Sequence, residues 1–401
     1  MTLSESSSSL LRSSLGSTVA LALHVASLIS FINSTTGCHH HYFTSIFSFG
    51  DSLADTGNLY FSSQPPPFHY SFFPPFGQSY FGRPTGRCSD GRLIVDFIAE
   101  SLGIQLLKPY LGIKNGQIQN WTVEEGVNFA VSGATALNAD FFEEKGIRSL
   151  FTNNSLSIQL SWFKELLLSL CNSYSSCKKV LEKSLFLVGE IGGNDFNRPL
   201  LVRRSLEEIT TFVPHVINVI SSTIRELIDL GAHTLMVPGN FPIGCTPLYL
   251  TMYESKDKND YDEAGCLKWL NKFTEYYNER LQAELNQIQV LHPQAKIIYA
   301  DYYNAALPLY HFPTNFGFSG LKACCGSEGP YKFNASSRKC GEPGVNACDD
   351  PSKYISWDGI HMTEAAHRWI VKGLTNEHCD AAEFSTLRGL INNNVQFECL
   401  I

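Results

Sequence analysis

The chain has 401 residues, 44% of them hydrophobic and 17% charged, with 30 Lys and Arg against 38 Asp and Glu. This is the composition of a globular protein, long enough for one large α/β domain or for two or three small ones. A formal net charge of −8 argues against nucleic acid or an anionic membrane surface as partner, because both call for a basic face.

Residues 1–38 read as a secretory signal peptide. Polar, Ser-rich sequence with Arg12 leads into an apolar run over 19–32, then into small residues from Ser34 to Gly37. The run is about 14 residues long, short for a membrane span; an uncleaved N-terminal anchor is the alternative. The expected mature protein is secreted, to the extracellular space or the vacuole, with no stable membrane insertion after cleavage. Twelve cysteines, an even number, suit an oxidising compartment. Glycosylation acceptors at Asn120, Asn153 and Asn334 fit the same route.

The first informative stretch is Ser45-Ile46-Phe47-Ser48-Phe49, apolar and β-prone, as a buried strand should be. Gly50 then lets the backbone turn and presents Ser52 at the carboxyl edge of a sheet, where α/β proteins tend to bind ligands. Ser52 there is either a nucleophile or merely the cap of a following helix. Residues 59–92 are rich in aromatic residues and proline, including Tyr60, Phe61, Phe68, Tyr70, Phe72, Phe73, Phe76, Tyr80 and Phe81. The prolines preclude a long helix or a central strand. Two uses of the rings are open: an apolar wall for part of an ester, or packing of the loop onto the core. Residues 91–102 read as a helix.

Two further strand-to-turn units follow. Val127-Asn128-Phe129-Ala130-Val131-Ser132-Gly133 is a short apolar run ending at a glycine turn. Leu185-Phe186-Leu187-Val188 runs into Gly189, Gly192 and Gly193, then Asn194 and Asp195. A backbone N–H at a glycine and an Asn side-chain amide are the donors that acyl transfer needs at a developing oxyanion.

Ser205 and Glu208 form a capping-box pattern, and Ile209, Phe212, Val213, Val216, Ile217, Ile220, Ile224, Leu227 and Ile228 recur at helical spacing up to Gly231. A strand is expected at 233–237, with His233 structural. A helix at 269–291 is broken by Pro293, and a strand follows at 296–300. Strands and helices alternating in this order predict a doubly wound, mainly parallel sheet in a three-layer α/β/α sandwich.

Residues 312–357 are a long Gly- and Cys-rich excursion. Cys324, Cys325, Cys340 and Cys348 lack the paired short spacings of a zinc site and suggest a stapled loop; Cys171 with Cys177, and Cys245 with Cys266, are further candidate pairs. No metal or other cofactor is expected. The excursion delivers Trp357-Asp358-Gly359-Ile360-His361, followed by a helix-like run to Leu374. Asp358 and His361, three apart in a turn, can lie side by side with the carboxylate on one ring nitrogen and the other nitrogen toward a serine. The chain order Ser, Asp, His is one that other α/β hydrolases use. An ordinary turn Asp beside a surface His is the competing reading.

Taken together and in order, Gly50-Asp51-Ser52-Leu53, Gly133, Asn194 and Asp358-x-x-His361 resemble the four blocks of the SGNH, or GDSL, hydrolases. The wording of Gly82-Arg83-Pro84-Thr85-Gly86-Arg87 and of Pro238-Gly239-Asn240-Phe241-Pro242-Ile243-Gly244-Cys245 resembles the plant GDSL esterases/lipases, and the likeness covers residues 43–376. Within that family the chain looks most like the branch that includes sinapine and acetylated indole-alkaloid esterases. The resemblance implies a single hydrolase domain over 39–376, with 377–401 as a polar tail. It implies Ser52 as nucleophile, His361 as general base and Asp358 as its orienting acid. It also implies an oxyanion hole from the N–H groups of Ser52 and Gly133 and the amide of Asn194. The expected partner is a small-molecule ester with a short acyl or aromatic part. An acyltransferase working through the same intermediate, a lipase for longer chains and a catalytically idle binding protein are the alternatives.

Overall fold

The computed structural model describes residues 43–375 apart from 64–68, 148–151, 171–173 and 335. The expected signal peptide, the tail, Phe68 and the Cys171–Cys177 pairing lie outside the described residues.

Five strands form one sheet: β1 (Ser45–Phe49), β2 (Val127–Asn128), β3 (Ser184–Val188), β4 (Thr234–Pro238) and β5 (Lys296–Ala300). All pair in parallel, in the order β2-β1-β3-β4-β5. Side chains alternate between the two faces, as the pleat demands. Phe47, Phe49, Phe186, Val188, Leu235 and Val237 enter one apolar core. Ile46, Leu185, Leu187, Met236 and Ile298 enter the other. Both faces are therefore buried, and helices cover each.

Seven of the described helices do most of that covering: α1 (Ile94–Ser101), α2 (Leu156–Leu170), α3 (Gly193–Leu201), α4 (Val213–Leu230), α5 (Lys268–Leu291), α6 (Tyr302–His311) and α7 (Glu364–Thr375). Apolar residues of α2, α3, α4 and α5 share the first core, and those of α1, α6 and α7 share the second. In the first core Phe163 of α2 meets Phe47 edge-on at 5.2 Å and Phe186 at 5.7 Å. Each ring so buried contributes about 1.5–3 kcal/mol. The result is the expected three-layer α/β/α arrangement.

The run from Ser205 differs from the single helix that its spacing predicts. Ser205 caps a short helix, Leu206–Thr210, by accepting the Glu208 N–H at 3.2 Å. The chain then restarts as α4, with Pro214 in its first turn. Proline has no N–H for the carbonyl of Thr210, and its ring collides with that carbonyl in a continuous helix. Gly231 ends α4 in the left-handed region, as expected.

Strand register brings distant turns together. Phe49 pairs with Val188, so the turns after β1 and β3 leave the sheet side by side. Beyond β2, Phe129 N donates to Ser48 O at 2.7 Å and Val131 N to Gly50 O at 3.0 Å, which carries the Gly133 turn to the same edge. With β2 and β3 on opposite sides of β1, this edge is the topological switch point of a doubly wound sheet, where a crevice opens.

Residues 312–357 reach that edge without adding a strand. They are stapled by Cys324–Cys348 and Cys325–Cys340. The other described bridge, Cys245–Cys266, closes the pair suggested by the sequence. Among the described residues no helix is long and apolar enough to cross a membrane.

Candidate active site

The turn after β1 is built around Gly50. Its φ of +156° is open mainly to glycine, and a Cβ there would stand 2.9 Å from the carbonyl oxygen of Glu190. The buried Gln159 amide grips both polar groups of Gly50, accepting its N–H and donating to its carbonyl, each at 2.9 Å. Asp51 N donates to Glu190 O at 2.8 Å. Asp55 then accepts the N–H groups of Gly57, Asn58, Leu59 and Ser132 at 2.6–3.1 Å. Helix capping in this segment therefore falls to Asp55, because the next helix begins only at Asn58. The capping reading of Ser52 does not hold, and its hydroxyl points elsewhere.

It points to His361. Ser52 Oγ lies 2.9 Å from His361 Nε2, and His361 Nδ1 lies 2.8 Å from Asp358 Oδ2. The other oxygen of Asp358 accepts the backbone N–H groups of Ile360 and His361, both at 2.8 Å, so the turn fixes its own carboxylate. A carboxylate on Nδ1 requires the proton there and leaves Nε2 to accept from the serine hydroxyl. Burial opposes charge on His361, but the Asp358 carboxylate outweighs it, helped by Cys88, and raises the imidazole well above its ordinary value. Burial works against the Asp358 anion too, yet His361 and the two N–H groups hold it below the usual carboxylate range.

The turn carrying Asp358 and His361 hangs on the stapled segment. Cys324 N donates to Ser356 O at 2.9 Å and Cys325 N to Trp357 O at 2.7 Å; Trp357 N donates to His361 O at 2.8 Å. The fully buried Trp357 meets Phe76 edge-on at 5.7 Å. Gly359 abuts Phe333, whose ring a Cβ would overlap.

Asn194 opens α3. Its Nδ2 donates to Ala134 O at 2.9 Å and to Asp51 Oδ2 at 3.2 Å. Next to it, Asp195 accepts Ala136 N at 2.8 Å and Leu137 N at 3.0 Å, and Arg198 Nη2 donates to Gly133 O at 2.6 Å. Three side chains of one helical turn thus tie the Gly133 loop to Asn194. Burial pushes the carboxyl groups of Asp51 and Asp195 up to about 7, and that of Glu190 well above its ordinary value.

Ser52, Gly133, Asn194, Asp358 and His361 all line one cavity of about 360 Å³. The five positions singled out in the sequence therefore converge. The aromatic loop divides between its two expected uses: Tyr70 and Phe76 line the cavity, whereas Phe61 and Phe72 pack against the apolar core. His233 is exposed and away from the cavity. Sequence reasoning passed over Gln159, Arg198, Asp55, His69 and Phe333. Only Asp55 carried a signal, three residues after Ser52 and ahead of Asn58. Gln159, Arg198 and Phe333 act across long separations that no local pattern marks, and His69 matters by its place on a cavity that distant segments close.

A model of the GDSL-like lipase/acylhydrolase family matches residues 46–374. A GDSL esterase/lipase of Arabidopsis thaliana is 54% identical over 350 residues, 86% of this chain and 85% of its own length. A second from the same plant is 52% identical over 373 residues, covering 92% and 93%. The sinapine esterase of Brassica napus is 50% identical over 339 residues, covering 83% and 85%.

Proposed function

The chain belongs to the GDSL-like lipase/acylhydrolase family and is a carboxylic ester hydrolase; from that premise we propose that it is a secreted serine esterase acting through an acyl-enzyme on Ser52. The observation that carries the reading is the continuous hydrogen-bonded chain from Ser52 Oγ through His361 to Asp358.

Ser52 Oγ attacks the ester carbonyl while His361 Nε2 takes its proton, and Asp358 stabilises the imidazolium that forms. The oxyanion is held by the N–H groups of Ser52 and Gly133 and by the Asn194 amide. Both hydrogens of that amide are engaged, and the longer bond, to Asp51 at 3.2 Å, is the one an oxyanion displaces or shares. His361 then hands its proton to the departing alcohol. It next activates the water that releases the acid.

A cavity of about 360 Å³ with walls such as Leu53, Phe76, Phe241, Ile243, Leu248 and Phe333 lies in the range of small-molecule sites. It supports small or medium acyl or aromatic esters, of the secondary-metabolite kind, as substrates. Three described disulfides and the exposure of Asn120, Asn153 and Asn334 support passage through the secretory route.

The test is hydrolysis of p-nitrophenyl esters from acetate to palmitate by the protein and by its Ser52→Ala variant. Serine-dependent cleavage that declines with chain length is expected. A maximum at palmitate would make the protein a lipase, and cleavage undiminished in the variant would remove Ser52 from the chemistry.

A further inference from the structure

His69 stands on the wall of the cavity but has no part in the acyl-transfer chemistry. Its Nδ1 accepts the backbone N–H of Ser71 at 3.3 Å and lies 2.8 Å from Ser71 Oγ. Ser71 Oγ also lies 3.3 Å from Gly86 O, the longer of its two contacts. A backbone N–H facing Nδ1 fits only a bare nitrogen there, so the single Ser71 hydroxyl hydrogen goes to Nδ1 and the neutral ring is assigned its proton on Nε2. Packing on Phe72 at 5.6 Å and on Tyr70 at 6.1 Å between ring centres sets the plane of the imidazole. Burial, reinforced by the charge on His361 and offset in part by Asp358, pushes its titration down to about 4. The ring is therefore neutral at physiological pH. Among the described residues, no group hydrogen-bonds Nε2. Tyr70, which packs on His69, and Phe76 line the same cavity.

We infer that His69 is a specificity-determining residue whose Nε2–H binds an oxygen acceptor on the ester outside the reacting carbonyl. An ether, methoxy or hydroxyl oxygen satisfies this donor. A hydrocarbon chain in the same place covers it and leaves it unpaired, which a site built to bond oxygen penalises. The preferred substrates are accordingly oxygenated esters rather than plain aliphatic ones. The inference rests on the ester-hydrolase reading of the site and narrows it.

Two pairs of near-isosteric esters test it: p-nitrophenyl methoxyacetate against p-nitrophenyl butyrate, and 4-methoxyphenyl acetate against 4-ethylphenyl acetate. Each kcat/KM ratio is divided by the ratio of the hydroxide-catalysed rates, which removes intrinsic reactivity. The wild-type protein is expected to favour the oxygenated member of at least one pair by about 3- to 10-fold, the worth of one net hydrogen bond. His69→Phe, normalised to sites titrated with a serine-directed phosphonate, is expected to abolish that preference. Corrected ratios near one in both pairs, or a preference that survives in His69→Phe, would overturn the inference. Should that variant fail to fold, the wild-type ratios decide alone. Failure to hydrolyse any of the four esters would instead overturn the esterase reading and this inference with it.

Discussion

Ser52 and Asn194 stand just past the ends of neighbouring strands, whereas Asp358 and His361 stand on a turn that no strand of the sheet carries. The first pair is placed by main-chain register, by Gly50 and by the Gln159 and Asp55 side chains. The second is placed by a stapled segment whose Cys324 and Cys325 N–H groups hold Ser356 and Trp357. A parallel sheet buried on both faces is stiff because its whole ladder must open together. A loop of 46 residues, 312–357, has no such ladder, so covalent closure does the work. The site thus joins a sheet-borne half, which holds Ser52 and the Asn194 amide, to a loop-borne half, which holds Asp358 and His361.

The largest effect expected on the sheet-borne side is from Ser52→Ala, a fall in kcat on the order of 10⁶. The hydroxyl bonds to His361 at the cavity wall, so circular dichroism and thermal melting should be little changed. On the loop-borne side, Asp358→Asn should cost about 10⁴ in kcat, because an amide donates to Nδ1 and inverts the tautomer. The same change bears on pH dependence. In the proposed mechanism His361 must be neutral to accept the serine proton, so activity is expected to be lost as pH falls through the His361 pKa. Asp358 raises that pKa; the acid limb of kcat/KM should therefore lie above the ordinary histidine range in the wild-type protein and move down in Asp358→Asn. A limb that does not move would detach the pair.

Asn194→Ala should lower kcat on the order of 10²–10³ with little change in KM, the size of one lost oxyanion donor. Full turnover in a folded variant would remove it from the site. The smallest effect separates the two halves most sharply. Cys325→Ser with Cys340→Ser opens a bridge of sequence separation 15, which should cost about 3 kcal/mol in denaturant unfolding. Because the opened segment holds the His361 turn, kcat should fall as well, by less than the roughly 10²–10⁴-fold that complete loss of positioned proton transfer would cost. Lost stability with unchanged kcat would show that the sheet, not the staple, positions His361.

The same contrast governs how much could be read from the chain itself. The strand at Ser45–Phe49, its glycine and Ser52 form a local pattern, and so does the run into Gly192, Gly193 and Asn194. Alternating strands and helices gave the layers. Asp358 and His361 carried no comparable signal, since a turn Asp and a His three apart occur in many settings; their resemblance to a known block made them legible. Pro214 was visible, but the helical spacing on both sides of it masked the break at Thr210. His69 and Gln159 were not legible at all. Gln159 matters through its contacts with Gly50, far away in sequence, and His69 through its place on a cavity that distant segments close, neither of which spacing encodes.

The central claim is that ester cleavage passes through an acyl group on Ser52. Its most direct test is an acid quench during steady-state turnover of a slowly deacylating ester, followed by peptide mass mapping. The account predicts an acyl adduct on the peptide that carries Ser52, absent in Ser52→Ala. An adduct on a different residue, or wild-type turnover by Ser52→Ala, would contradict it.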